Sequence, residues 1–428
     1  MRALGLPLLN IVFFITLAAP HPLAACSMYK ISAGGKTMVG CNEDAWRTDS
    51  KIWFENAPSA EGYGAAYTGS REVSAGRFAP QSGMNTAGLV FSRLAAYYPD
   101  KGPVQHKKPV YNEIDYLTGV MQQCATVEEV REFIEDYDRS FFIDDVFIYI
   151  DPSGKYLVVE PYGSIMGEEA NYVLSNFCPS ITQEEEANRL SKYRKGKAFL
   201  ERNSAENSLE YCRSLSDTMH VCRSRNGDGT LLTSIWDTEN LQVHLYFYHD
   251  YDTSVQLDLN EELAKGDHMI DIPSLFPENE EFMHLAEYIT PFNTPLIRVG
   301  LAFIGGLLLL LGLGYAILLL KYRRWGFLIP MALINGILFA YLFVLATNVS
   351  IYYFDAPYTH HSSNLISLSS YSPFLLLLAI IPLLYSTRKG YMTSRPRKWI
   401  RALVFSNHAI FLLLIFCFSY WGLYHFWV

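Results

Sequence analysis

The sequence predicts an α+β domain on the export side, followed by a membrane unit of four helices. Three observations predict it. The chain of 428 residues is 50% hydrophobic and 14% aromatic, too apolar for one ordinary soluble domain and long enough for two units. The apolar residues are concentrated in four uncharged stretches near the C-terminus, 299–320, 325–347, 364–386 and 402–427. The part before them has runs of short strands with charged helical patterns grouped between them, not strict strand–helix alternation.

The membrane unit follows from length. A bilayer core needs about 20 apolar residues in helix, and each stretch has that many. The charges sort by side. From residue 291 onward there are ten Lys/Arg and one acid, Asp355. Nine of the ten fall in two clusters, Lys321 to Arg324 and Arg388 to Arg401, whereas loop 348–363 has no Lys or Arg. Basic loops face the cytoplasm, so loop 348–363, the C-terminus and everything before residue 296 are expected outside it. The N-terminus agrees: Met1-Arg2, an apolar run and small residues up to Ala25 read as an export signal over residues 1–25. Residues 26–270 are then the exported domain. Residues 271–295, with four prolines, read as a linker to the membrane domain 296–428.

Within 26–290 there are 23 Lys/Arg against 42 Asp/Glu, a balance of −19. That excludes nucleic-acid binding and docking on anionic lipid as expected functions. No P-loop, repeat or zinc-type cysteine spacing is present. Of the seven cysteines, Cys417 lies in an apolar span, and Cys212 and Cys222 could pair. Nothing in the sequence bears on oligomeric state.

Two runs flanking Gly34-Gly35 predict a β-hairpin starting at Cys26. Helical patterns cover 112–123, 127–138 and 182–202. A second hairpin is predicted over 146–163, turning at Asp151-Pro152-Ser153-Gly154, and a further strand over 241–250.

Leu23-Ala24-Ala25-Cys26 admits two readings. It resembles a lipoprotein signal, with Cys26 an acylated anchor. It also fits cleavage after Ala25, which leaves Cys26 as residue one. A free N-terminal cysteine carries a thiol nucleophile and an α-amine of pKa about 7.7–8.0 on one residue. The strand predicted to begin at once, and the four spans that already anchor the chain, favour the free cysteine.

The stretches CSMYKISAGGKTMVGCNEDAW (26–46), SGMNTAGLVFSRL (82–94), GKYLVVEP (154–161), YVLSNF (172–177) and TSIWDTENLQVHLYFY (233–248) occur in the order seen in a known family. Over residues 26–250 the chain resembles the N-terminal-nucleophile hydrolases of the choloylglycine hydrolase and penicillin acyltransferase group. The resemblance implies a four-layer αββα sandwich with Cys26 opening a central strand. It implies Cys26 as nucleophile, its amine as base, Asp44 orienting the amine, and Asn85 and Asn176 stabilising the oxyanion. The implied reaction is attack on a linear, non-peptide amide through a thioester, with no metal or organic cofactor.

Two features depart from the family. Cys41 stands where choloylglycine hydrolases have an arginine, and the later active-site arginine has no clean counterpart among His220, Arg223 and Arg225. This points away from bile salts and toward other linear amides, amphiphilic ones if the tether holds the site near the bilayer. An acyltransferase passing the acyl group to an amine is the rival within enzymes. A ligand-binding or sensor domain is the rival outside them. His220, His244 and His249 read as surface or core histidines.

Overall fold

The computed structural model describes residues 26–99, 107–222, 229–288, 290, 295–322, 326–348, 351–352, 364–394 and 396–424. The expected export signal at 1–25 lies outside these residues, as do Arg223 and Arg225. The chain separates into two compact units, one running Leu23–Ala286 and the other containing Glu287–Val428.

The first unit is built on two antiparallel sheets. The strands are β1 (Ser27–Ala33), β2 (Lys36–Ala45), β3 (Lys51–Glu55), β4 (Ala65–Gly69), β5 (Ser82–Asn85), β6 (Val90–Ala95) and β7 (Asp145–Ile150). They continue with β8 (Tyr156–Val159), β9 (Ser164–Gly167), β10 (Asn171–Leu174), β11 (Gly229–Asp237), β12 (Gln242–Phe247), β13 (Val255–Asp258) and β14 (His268–Asp271). One sheet has the order β10-β1-β2-β11-β12-β13 and the other β9-β8-β7-β6-β5-β4-β3-β14.

Helices cover both outer faces. On the eight-stranded sheet, α1 (Glu113–Gln123) and α2 (Val127–Glu135) set Leu117, Val120, Val130 and Ile134 against Tyr67, Phe91, Tyr149 and Leu157. Thr126 caps α2 in a capping box with Glu129. On the six-stranded sheet, α3 (Ser191–Arg202) and α4 (Leu209–Met219) carry the second core, in which Tyr211, Leu215 and Met219 meet Tyr29, Ile31 and Tyr246. Between the sheets Ser82 and Ser234 hydroxyls lie 3.1 Å apart. The architecture is a four-layer αββα sandwich.

The β1–β2 hairpin turns at Gly34 and Gly35, whose φ values of 61° and 82° need glycine. Alternation along β2 sorts its side chains. Glu43 reaches toward the second sheet, where Thr68 and Ser82 donate to it. Asn42 and Asp44 reach the other way, to Ser216 of α4 and Lys192 of α3.

The expected linker is more structured than its prolines suggest. Ile272–Leu275 forms a 3-10 turn and Glu280–Ala286 a helix, whose Phe282 packs on Phe247 at 4.7 Å between ring centroids. All seven cysteines are unpaired; Cys212 is fully buried and Cys222 exposed.

Among the described residues the second unit holds four helices long and apolar enough to cross a membrane: α5 (Pro295–Lys321), α6 (Leu328–Thr347), α7 (Ser372–Ser394) and α8 (Lys398–Tyr420). The third predicted stretch is divided, with a separate turn of helix at Asn364–Ser369 before α7. Helix α7 runs on through Arg388 and Lys389, because charge ends an apolar stretch but not a helix. Among apolar neighbours, Asn335 Nδ2 donates to Asn407 Oδ1 at 2.7 Å and the reverse bond is 3.2 Å, the polar pairing that joins helices in lipid. His408 is buried inside α8 with Nδ1 2.8 Å from the Val404 carbonyl oxygen.

Candidate active site

Cys26 immediately precedes β1 and is 7% exposed. Its position follows from the registers on either side. Met28 pairs with Leu174 across β1 and β10, and Ser27 pairs with Asn42 across β1 and β2. Extending these registers brings Cys26 beside Asn176 on one flank and Glu43-Asp44 on the other.

The contacts agree. Cys26 Sγ lies 3.8 Å from the Asp44 carbonyl oxygen. Ser175 Oγ donates to the Cys26 carbonyl at 3.3 Å. From the facing sheet, Gln81 Nε2 points at Cys26 Sγ at 3.4 Å, and the same amide donates to the Arg93 carbonyl. Burial pushes the Cys26 thiol up to about 12; the Asp44 carboxylate adds to the rise and Lys192 opposes it. In these surroundings the thiol keeps its proton near neutrality, so a nucleophile here requires a base.

Asp44 is held on both oxygens. Lys192 Nζ donates to Oδ2 at 3.0 Å and Thr230 Oγ1 to Oδ1 at 2.6 Å. The lysine and aspartate side chains are 5% and 1% exposed. Lys192 comes from the first turn of α3, on the inner face that also carries Gly196. It supplies a buried cation to the site, while Cys41 on β2 carries a thiol. That thiol is buried between the sheets and pushed up to about 12 by burial.

Asn176 joins the group through Ser175, and its Nδ2 donates to the Ala95 carbonyl at 2.8 Å. Asn85 is engaged elsewhere. Its Nδ2 donates to Met121 and Cys124 carbonyls at 2.8 and 2.7 Å, and its Oδ1 accepts from Ala87 and Leu89 amides at 3.1 and 3.0 Å. All four of its amide bonding positions are thereby used, tying the turn after β5 to the end of α1.

Glu43 is a fully buried carboxyl between the sheets. Desolvation raises it to about 7, against the lowering effect of hydrogen bonds from Thr68 and Ser82. Its negative form would push the Cys26 thiol higher still.

Sequence reasoning missed Lys192, Thr230, Gln81 and Glu43. Lys192 sits in SKYRKGKAFLER, which reads as a solvated charged helix. The available signal is spacing: Lys192, Gly196, Phe199 and Leu200 share one helical face. Gln81 had none, since it reaches Cys26 from the other sheet.

No family model and no curated protein matches the chain. Among solved structures the chain is similar to a mutant of conjugated bile acid hydrolase from Clostridium perfringens, with a TM-score of 0.46 and 16% identity over 60% of this chain and 98% of that one. A second variant of that hydrolase gives a TM-score of 0.46 and 17% identity over the same shares, 60% and 98%. Penicillin V acylase from Agrobacterium tumefaciens gives 0.44 and 15% identity, covering 58% of this chain and 92% of that one.

Proposed function

We propose that residues 26–286 form an exported amidohydrolase whose nucleophile is Cys26, freed as residue one by cleavage after Ala25. One observation carries the reading. The residue that opens a central strand is a buried thiol, flanked by a locked carboxylate and faced by a side-chain amide from the opposite sheet.

The chemistry follows from those groups. A thiol at about 12 is inert without a base. The α-amine of a free Cys26 is that base, and being on the same residue it needs no further positioning of the thiol. It takes the thiol proton as Sγ attacks the amide carbonyl carbon. The oxyanion accepts N–H bonds from Gln81 and Asn176. The ammonium returns the proton to the leaving amine as the C–N bond breaks, leaving a thioester on Cys26. Water, deprotonated by the same amine, then attacks the thioester, and the C–S bond breaks to restore the thiol. Asp44, held by Lys192 and Thr230, keeps a fixed negative charge that favours the ammonium in both half-reactions. In this reading Asn85 has a structural role and takes no part in the steps.

The clustering of Lys and Arg at the two helix junctions, α5 to α6 and α7 to α8, including the helix ends there, supports a catalytic unit outside the cytoplasm, tethered to the bilayer. Linear N-acyl amides with an apolar chain are the substrate class that suits such a tether.

The test uses full-length protein in detergent, incubated with N-acyl amino acids and N-acyl amines of varied chain length, quenched in acid and mapped by mass. An acyl adduct on the Cys26 peptide, together with free amine release, is expected. Both vanish in Cys26→Ala. Turnover that survives in Cys26→Ala, or no adduct with any member of the series, contradicts the assignment.

A further inference from the structure

Away from Cys26, the fold brings together three side chains that are ordinary in sequence. His220 caps the C-terminal end of α4, Cys222 follows two residues later, and His249 lies in the turn after β12. One potential ligand atom from each lies within 4.8 Å of the other two. We propose that His220, Cys222 and His249 bind a zinc ion.

The hydrogen bonds around His220 set its tautomer. Nδ1 donates to the Asp217 carbonyl oxygen and lies 3.0 Å from the Asp217 carboxylate Oδ1. The lone pair is therefore left on Nε2, which faces Cys222 Sγ at 3.1 Å. A carboxylate behind the imidazole, with the opposite nitrogen turned to the metal, is the usual outer support of a zinc-bound histidine.

The backbone brings His249 in under strain. Tyr248 and His249 both have φ of 50°, a left-handed conformation costly for bulky side chains. It stacks the His249 ring on that of His220, with centroids 5.5 Å apart and planes within 16°. Glu281 Oε2 lies 3.8 Å from His249 Nε2 but outside the mutually close set of three, which leaves the fourth position of a zinc ion to water. Tetrahedral zinc needs its nitrogen and sulfur ligands about 3.3–3.6 Å from one another, so the set closes onto an ion with shifts of roughly an ångström.

The donor chemistry narrows the choice of metal to soft and borderline ions, of which zinc is the one proposed. Two imidazoles and a thiolate suit zinc and exclude calcium and magnesium, which take oxygen ligands. Cys222 is exposed and Cys212 buried, so no disulfide partner competes for the thiol. The plain alternative is an S–H···N hydrogen bond beside two stacked rings.

The cluster also connects to the catalytic group. Between its two ligands on this arm, Val221 N donates to Thr230 Oγ1 at 2.9 Å and Thr230 N donates back to the Val221 carbonyl at 2.9 Å. Thr230 in turn holds Asp44. Zinc would stiffen the arm on which that contact depends.

The test reads metal directly. Full-length protein in detergent is stripped with chelator, dialysed against zinc chloride and assayed for bound zinc. Cobalt(II) then serves as a spectroscopic stand-in. One equivalent of zinc is expected, with a thiolate-to-cobalt charge-transfer band. Cys222→Ser abolishes the band, His249→Ala lowers zinc affinity at least tenfold, and Asp217→Asn lowers it by about 10–100-fold. Cys26→Ser and Cys212→Ser bind as wild type, which separates this site from the hydrolase reading. Wild type that binds no more zinc than His220→Ala/Cys222→Ser, or a cobalt band that persists in Cys222→Ser, overturns the proposal.

Discussion

Lys192 and Asp44 form a buried ion pair, with Nζ 3.0 Å from Oδ2 and side chains 5% and 1% exposed. The pair joins the first turn of α3 to the end of β2, beside Cys26. Two charges so far from solvent are tolerable only together, and removing one strands the other at a cost of about 3–5 kcal/mol.

The first prediction concerns this pair. Lys192→Met should destabilise the first unit by about 3–5 kcal/mol in urea denaturation monitored by tryptophan fluorescence. Asp44→Asn/Lys192→Met should lose clearly less than the two single losses combined, because the second change removes the stranded charge. Additive losses would show the two groups to be energetically independent. In the hydrolase reading, Lys192→Met also lowers kcat, since Asp44 loses the partner that holds it.

A second prediction concerns Glu43. Its folded-state value is raised to about 7 from an ordinary value near 4.5. The folded state therefore holds a proton that the unfolded chain releases. The stability contributed by that proton is full below about 4.5, declines as pH rises to about 7 and is absent above. Glu43→Gln cannot ionise. The difference in unfolding free energy between wild type and Glu43→Gln should change across this window by about 3 kcal/mol and be flat above it. A difference independent of pH from 4 to 8 would contradict the raised value.

Gln81 and Asn85 separate function from structure. Gln81→Ala should lower kcat by about 10²–10³-fold with KM little changed, as for loss of one oxyanion donor. Asn85→Ala should act on stability, because it leaves two buried carbonyls at the C-terminal end of α1, those of Met121 and Cys124, and two amides of the turn without partners. Thermal unfolding and steady-state kinetics on both variants check the assignment. A kinetic defect in Asn85→Ala without loss of stability would instead support the oxyanion role that the resemblance implies for Asn85.

The base predicts a pH profile. With an α-amine as general base, kcat/KM should rise with pH to a plateau, through a limb near about 8. A limb below 6 would point to a carboxylate or imidazole base instead.

Much of the fold was legible in local pattern. Gly34-Gly35 and Asp151 to Gly154 announced the two hairpins because positive φ restricts what stands there. The four apolar helices were legible from length alone. Helix α4 escaped notice although Leu209, Cys212, Leu215 and Met219 lie on one face, since two of the four are unremarkable in a polar stretch. The 182–202 pattern predicts one helix, whereas the structure interrupts it between Ala187 and Ser191 before α3 begins. Of the candidate site, the grouping of Cys26, Asp44 and Asn176 was readable because they stand in or next to adjacent strands of one sheet. Lys192, Gln81 and Glu43 were not, because their roles arise from layers that meet only in the folded chain. The same holds for His220, Cys222 and His249, whose spacing matches no metal motif.

The central claim is that Cys26 is chemically free, and the most direct measurement is the intact mass of the mature protein from membranes, with its N-terminal peptide mapped. The account predicts a chain that begins at Cys26, with both amine and thiol unmodified. Acyl or diacylglycerol mass on Cys26, or a chain that retains residues before it, would contradict it: the amine would be blocked and the thiol left without its base.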